Sequence, residues 1–220
     1  AAFFKKYQAL VMIGLYITGI VLGIIIALIL KNTAFRGKPV PFVMELPNYR
    51  LPSAKSVGLL LWDKAKDFIQ RAFTVIFFAT IIIWFLETFD AKLNVVKDSS
   101  DSLLALIGQA ISPIFKPLGF ADWRVTTSLI SGFTAKEAVV STMAVLMNTS
   151  TANLGTALSG SFSTLSALSF LVFTLLYTPC VAAVATIKRE LDSRIQTVGV
   201  VIMQCMVAWL CGCAVYQIGA

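Results

Sequence analysis

The chain has 220 residues, of which 58% are hydrophobic and only 13% charged, and 18 Lys and Arg stand against 11 Asp and Glu. A soluble domain is nearer half apolar and a quarter charged, so this balance excludes an ordinary soluble fold and indicates an integral membrane protein. The basic excess is of the kind that flanks membrane spans; no basic patch interleaved with aromatics points to nucleic acid, and the absence of histidine leaves no Ser/His/Asp arrangement or His-containing zinc site.

The opening residues, AAFFKKYQAL, carry no cleavage-site pattern and run into a stretch too long for a signal core. With no initiating methionine, the chain reads as an internal piece of something longer. Tyr7 to Leu30 is the first expected span; at about 1.5 Å per residue it reaches roughly 36 Å, enough to cross a bilayer. Gly19 and Gly23 within it form a small-xxx-small pair that permits close helix packing, although glycine is also generally tolerated in membrane helices. Lys31 to Gly58 holds four prolines and several basic residues, which forbids a helix there and favours turns or extended chain. FVMEL, Phe42 to Leu46, fits a short strand of a hairpin against the membrane face.

Leu59 to Phe73 is amphipathic: Leu61, Trp62, Ala65, Phe68, Ile69, Ala72 and Phe73 oppose Asp63, Lys64, Lys66, Asp67 and Arg71. It is expected to lie in the interface and bend into a span over Phe73 to Phe89. After a polar loop, Leu103 to Phe120 contains Pro113 and Pro117 and is either a broken spanning helix or a re-entrant segment. The basic regions Lys31 to Arg71 and Lys188 to Arg194 share one side only if residues 103–118 cross fully, and that crossing is preferred. Val125 to Met147, Phe170 to Glu190 and a stretch from Thr197 onward complete the expected spans. The fold class is therefore all-α, a polytopic transmembrane helical protein with about five or six membrane segments, broken helices among them. Its expected divisions are residues 1–30, a proline-rich connector and amphipathic helix at 31–72, and the remaining spans at 73–220.

Two places in the apolar spans carry chemistry. Lys136 and Glu137 sit in SGFTAKEAVVST, where a charge costs about 2.5–3.5 kcal/mol even on the gentler insertion scale. Adjacent helical residues point about 100° apart, so the pair cannot neutralise itself on one face, and each needs its own partner, a watery cavity or a helix break. A structural salt bridge and a place on a substrate path both satisfy this, and Ser128, Ser131, Thr134, Ser141 and Thr142 nearby favour a polar cavity. The second place is YTPC. Pro179 has no N–H, so the carbonyl of Leu175 and its neighbours are left partly free, as in the interrupted helices that aim carbonyls at ions in transporters. Cys180 beside the break is a soft ligand suited to a transition metal, and Thr178 and Tyr177 add oxygen. A proline kink with a packing cysteine is the plainer alternative. Cys205, Cys211 and Cys213 read as small buried hydrophobes, and no disulfide framework is expected.

GKPVPFVMELPNYRLP, WDKAKDFIQRAFTVIFFATIIIWFL, PLGFADWRVTTSLISGFTAKEAVVSTMAVL and LSFLVFTLLYTPCVAAVATIKREL resemble the membrane domain of the ferrous iron transport protein B (FeoB) family of bacteria, over nearly the whole chain. The resemblance implies a multi-pass inner-membrane domain that moves Fe²⁺, its transported substrate, under control of a GTP-binding domain. In that family a GTP-binding domain and a helical spacer precede two gate repeats, each with a Pro-Cys type motif on the iron path. YTPC would be the second gate motif and GFTAKE the other polar element of that gate. The metal-contacting residues implied are Cys180, Thr178, Tyr177 and Glu137, with Pro179 as the break and Lys136 and Glu137 as the intramembrane charges. AAFF resembles the tail of the first gate, which places the GTP-binding domain and most of that gate outside this chain. The chain has no G-x-x-x-x-G-K-[ST] loop, so it is expected to bind no nucleotide by that route and to perform no enzyme chemistry. The lipid bilayer, the missing GTP-binding and first-gate parts, a small cytoplasmic accessory protein of the same system and a homo-oligomer are the partners considered. An organic-solute carrier, such as one for nucleosides, and a non-transporting structural or regulatory subunit are the alternative functions.

Overall fold

Apolar side chains on every face make a helix stable only where its whole surface meets apolar matter. In the computed structural model, which describes residues 7–33, 53–96, 98–160, 162–177 and 180–219, the helices follow one another as α1 (Gln8–Asn32), α2 (Ala54–Thr88), α3 (Leu103–Ile111), α4 (Trp123–Ser131), α5 (Ala138–Leu146), α6 (Leu154–Ser159), α7 (Thr164–Leu176), α8 (Val181–Leu191) and α9 (Arg194–Gly219). A 3₁₀ segment, Ser112–Leu118, continues α3. Among the described residues there is no β-strand; the FVMEL hairpin expectation, Phe42 to Leu46, lies outside them. α1, α2 and α9 are each long and apolar enough to cross a membrane. Leu103–Leu118 with Trp123–Ser131, bent by 106°, and α7 with α8, bent by 41°, raise the number to five if each pair is one span. This is the expected all-α polytopic architecture with broken helices.

Local sequence chemistry starts several of these helices. Ser53, Ser102 and Ser163 accept the backbone N–H of Ser56, Ala105 and Ser166, and Asp122 accepts that of Arg124. Each side chain satisfies an N–H that the first turn leaves without an intrahelical partner. The sequence reading separates an interfacial helix from the span after Phe73, whereas the structure joins them in one helix of 35 residues. No proline or glycine lies between Leu59 and Thr88 to interrupt it. At about 1.5 Å per residue such a helix outreaches the roughly 30 Å hydrocarbon core, so its charged first turns extend beyond the apolar layer. Between α2 and α3 the Asp90 carboxylate accepts the N–H groups of Asn94 and Lys92, at 2.9 and 2.7 Å. The bond from Asn94 holds that carboxyl below its usual range.

The buried core lies among α3, the 3₁₀ segment, α4, α5, α7 and α9. Leu104, Leu118, Val125, Leu129, Val139 and Met143 are at its centre. Phe115, Phe120, Phe162, Phe170, Phe173 and Tyr177 link ring to ring with centroids 5.2–6.5 Å apart. α7 and α9 run antiparallel, joined by the Ser169 hydroxyl donating to Gly212 O at 2.8 Å. α1 has no buried residue. A Cβ at Gly19 would stand 3.6 Å from the Leu175 side chain, but nothing lies near Gly23, so only one of the two paired glycines meets another helix.

The 3₁₀ segment displays the rule that governs the whole molecule. In a 3₁₀ turn each carbonyl takes the N–H three residues ahead, and for Ile114 that residue is Pro117, which has none. The Trp209 indole on α9 supplies the donor instead, at 3.0 Å, and Gln217 donates to Pro117 O at 3.3 Å. The segment ends at Gly119, where φ is 82° and a side chain would collide with the Tyr216 ring. Replacing Trp209 with Phe keeps the ring but strands the Ile114 carbonyl. That change is expected to cost about 1–3 kcal/mol, read as a lower midpoint of thermal unfolding in detergent, while Met206→Leu on the exposed face of α9 leaves the midpoint unchanged.

Candidate functional site

Pro179 and Thr178 lie outside the described residues, but the consequence of the proline is visible on both sides of them. The last regular bond of α7 runs from Tyr177 N–H to Phe173 O at 2.8 Å, and the chain becomes helical again at Val181. Leu175 O, four residues before the proline, has no helical donor there. It accepts the Lys136 ammonium at 3.1 Å. The first N–H of α8, that of Val181, has no partner in its own helix and donates to Phe133 O at 2.9 Å.

Lys136 and Phe133 belong to a second break. The single span expected over Val125 to Met147 is two nine-residue helices, α4 and α5, parted by Gly132 to Glu137. At the end of α4 the Phe133 and Thr134 N–H groups turn back to Ile130 O and Ser131 O, and the Thr134 hydroxyl also donates to Ser131 O at 2.8 Å. The physical reason for leaving the helix is the charge pair. An unbroken helix could not serve two adjacent charges that point apart; the break lets the ammonium reach α7 while Glu137 stands exposed at the start of α5.

Tyr177 ties the two breaks together. It is buried, stacks on Phe173 with centroids 5.5 Å apart, and directs its hydroxyl at Leu129 O in the last turn of α4, 3.4 Å away. Its ring lies 5.2 Å from the Lys136 nitrogen, within the range of a cation–π contact. Gly132 makes the approach possible: a Cβ there would run into Val139 and come within 2.7 Å of the Tyr177 hydroxyl. The carboxyl ends of α4 and α7, each the negative end of a helix dipole, therefore converge on one place, and Lys136 is the cation there.

Cys180 is half-buried at the N-cap of α8, at the start of the helix that follows the α7 break. None of the four cysteines is in a disulfide. An open cavity of about 560 Å³ between α2 and α8 begins at Ala182, two residues past Cys180, and extends to Thr186, Arg189, Lys64 and Asp67. Among the described residues no three of His, Cys, Asp and Glu gather as a metal-holding group. The hydroxyls that favoured a polar cavity are engaged close to home: Ser128 with Val125 O, Ser141 with Ala138 O, and Ser131 with Thr142 across α4 and α5 at 3.1 Å. Tyr177 and Lys136 are thus together, Cys180 caps the helix that follows, Glu137 is exposed, and Phe133 and Leu129 join through their carbonyls. The sequence signal for that last pair was weak, a lone Gly132 ahead of a Thr.

Two family models match the chain: Gate, described as nucleoside recognition, over residues 69–194, and ferrous iron transport protein B C terminus over residues 12–64. Both helix breaks fall within the first match. The Fe(2+) transporter FeoB of Staphylococcus aureus (strain MSSA476) is 36% identical over 217 residues, covering 99% of this chain and 32% of that protein. That of Methanocaldococcus jannaschii is 34% identical over 197 residues, covering 86% of this chain and 29% of its own. The Fe(2+) transport protein A/Fe(2+) transporter FeoB fusion protein of Porphyromonas gingivalis is 32% identical over 266 residues, covering 99% of this chain and 31% of its own. The chain spans about a third of the length of these curated relatives. No solved structure matches it.

The glycine at the crossing gives a direct test of the geometry. Gly132→Ala forces a methyl between Val139 and Tyr177. It is expected to destabilise the fold by about 1–3 kcal/mol, measured by thermal unfolding in detergent, whereas Gly14→Ala, with open space around it, leaves the midpoint in place.

Proposed function

The chain belongs to the Gate family as the C-terminal membrane part of a ferrous iron transport protein B, and on that premise we propose that its two joined helix breaks form one gate of an Fe²⁺ pathway. It is a multi-pass protein of the inner membrane. The observation that carries the reading is the meeting of the broken helices. The carboxyl ends of α4 and α7 meet around the Tyr177 ring and the Lys136 ammonium, and Cys180 follows the α7 break as the N-cap of α8. Backbone oxygen at a helix break replaces part of a cation's hydration shell, the dipole ends favour positive charge, and sulfur distinguishes a transition metal from Mg²⁺ or Ca²⁺.

In this reading Cys180 is the principal side-chain ligand, Tyr177 and Thr178 border the ion, Pro179 maintains the interruption, and Glu137 attracts cations from the exposed side. The relatives are named for Fe(2+) transport, which favours iron over an organic solute. The remaining two thirds of such proteins would supply the other gate and the GTP-binding domain that controls passage, with this chain itself binding no nucleotide.

The test is uptake of ⁵⁵Fe²⁺ by cells carrying the full-length parent with Cys180→Ser, compared with the unaltered parent at matched membrane expression. Exchange of sulfur for oxygen at nearly constant size is expected to lower uptake about tenfold, equivalent to roughly 1.4 kcal/mol. Undiminished uptake removes Cys180 from the pathway.

A further inference from the structure

Resting on the reading of this site as an iron gate, we propose that Lys136 is its resident cation: the ammonium holds the place at the carboxyl end of α7 that a divalent metal must take in order to pass. Its surroundings are those that would receive a transported cation. The nitrogen is 3.1 Å from Leu175 O, whose helical donor Pro179 has removed, and 5.2 Å from the Tyr177 ring. The carboxyl end of α4 faces the same ring through Leu129 O. Among the described residues no carboxylate pairs with Lys136. Lys136 is half-buried, and a partly desolvated cation kept only for structure is normally anchored by an acid, because a charge left to carbonyl and ring alone is incompletely compensated.

The same features make Lys136 displaceable. A carbonyl bond and a cation–π contact are each modest, and the lysine stem has four rotatable carbons by which the ammonium can withdraw. Iron and lysine therefore compete for one field, and the lysine sets the iron concentration at which the gate fills. A fixed charge at that position also keeps the interrupted carbonyl satisfied between passages, so the empty gate has no stranded oxygen in lipid.

The experiment measures ⁵⁵Fe²⁺ uptake against iron concentration in cells expressing the full-length parent, Lys136→Met, Lys136→Gln and Lys136→Arg, each normalised to folded protein in the membrane. Neutral Lys136→Met and Lys136→Gln are expected to lower the half-saturating iron concentration at least about threefold, because a competing unit charge has gone. Lys136→Arg, which keeps the charge, stays close to the parent. An unchanged or higher half-saturating concentration in the neutral variants overturns the proposal. So does failure of both neutral variants to fold, which would make Lys136 a structural cap. If the parent itself takes up no Fe²⁺, the iron-gate reading falls instead; uptake by the parent with an unmoved half-saturation in the variants refutes the resident cation alone.

Discussion

In hydrocarbon a backbone carbonyl without a donor has no water to turn to, and this constraint organises the molecule. Prolines within the apolar segments each remove one donor, and the structure answers from elsewhere in the fold. Pro117 costs Ile114 its partner, and Trp209 on α9 replaces it. Pro179 costs Leu175 its partner, and Lys136 replaces it. The two answers differ in kind. An indole is neutral, rigid and held in the packed interface of α9, so it seals its break and makes that break part of the scaffold. An ammonium is charged and sits at the end of a four-carbon stem, so this break is held by a cation.

The breaks in α4–α5 and α7–α8 satisfy one another. Phe133 O receives Val181 N–H, Leu175 O receives Lys136, and Leu129 O receives the Tyr177 hydroxyl. Neither interruption is complete without the other, so a shift of α8 that breaks the Phe133 bond must expose backbone polarity in both. The two breaks are therefore coupled through their backbone hydrogen bonds. Burial supports the division of labour: α3, α4, α5, α7 and α9 hold the aromatic core around Phe115, Phe120 and Phe173, while α1 contributes no buried residue. α1 and the outer face of α2 are free to meet lipid or the rest of a protein whose relatives are about three times as long.

Much of this was legible in the residues. The apolar runs announced spans, and Pro179 announced a freed carbonyl at Leu175. The caps at Ser53, Ser102, Asp122 and Ser163 came from the structure. The junction of Leu59 to Phe73 with the following span was misread as a bend because amphipathicity reports which face is polar, not whether the helix axis is continuous. The break at Gly132 to Glu137 was one of three ways the sequence left open for serving two adjacent charges, and a lone glycine could not decide among them.

The sequence by itself determined the solvent, the class of fold, the family and the location of one missing donor, because hydropathy and the chemistry of proline are local properties. The tertiary structure alone decided which group fills each vacancy. Lys136 and Leu175 are 39 residues apart, and Trp209 and Ile114 are 95 apart. No periodicity relates positions so distant; they meet because helix packing in a dry medium brings these two carbonyls to donors on other helices.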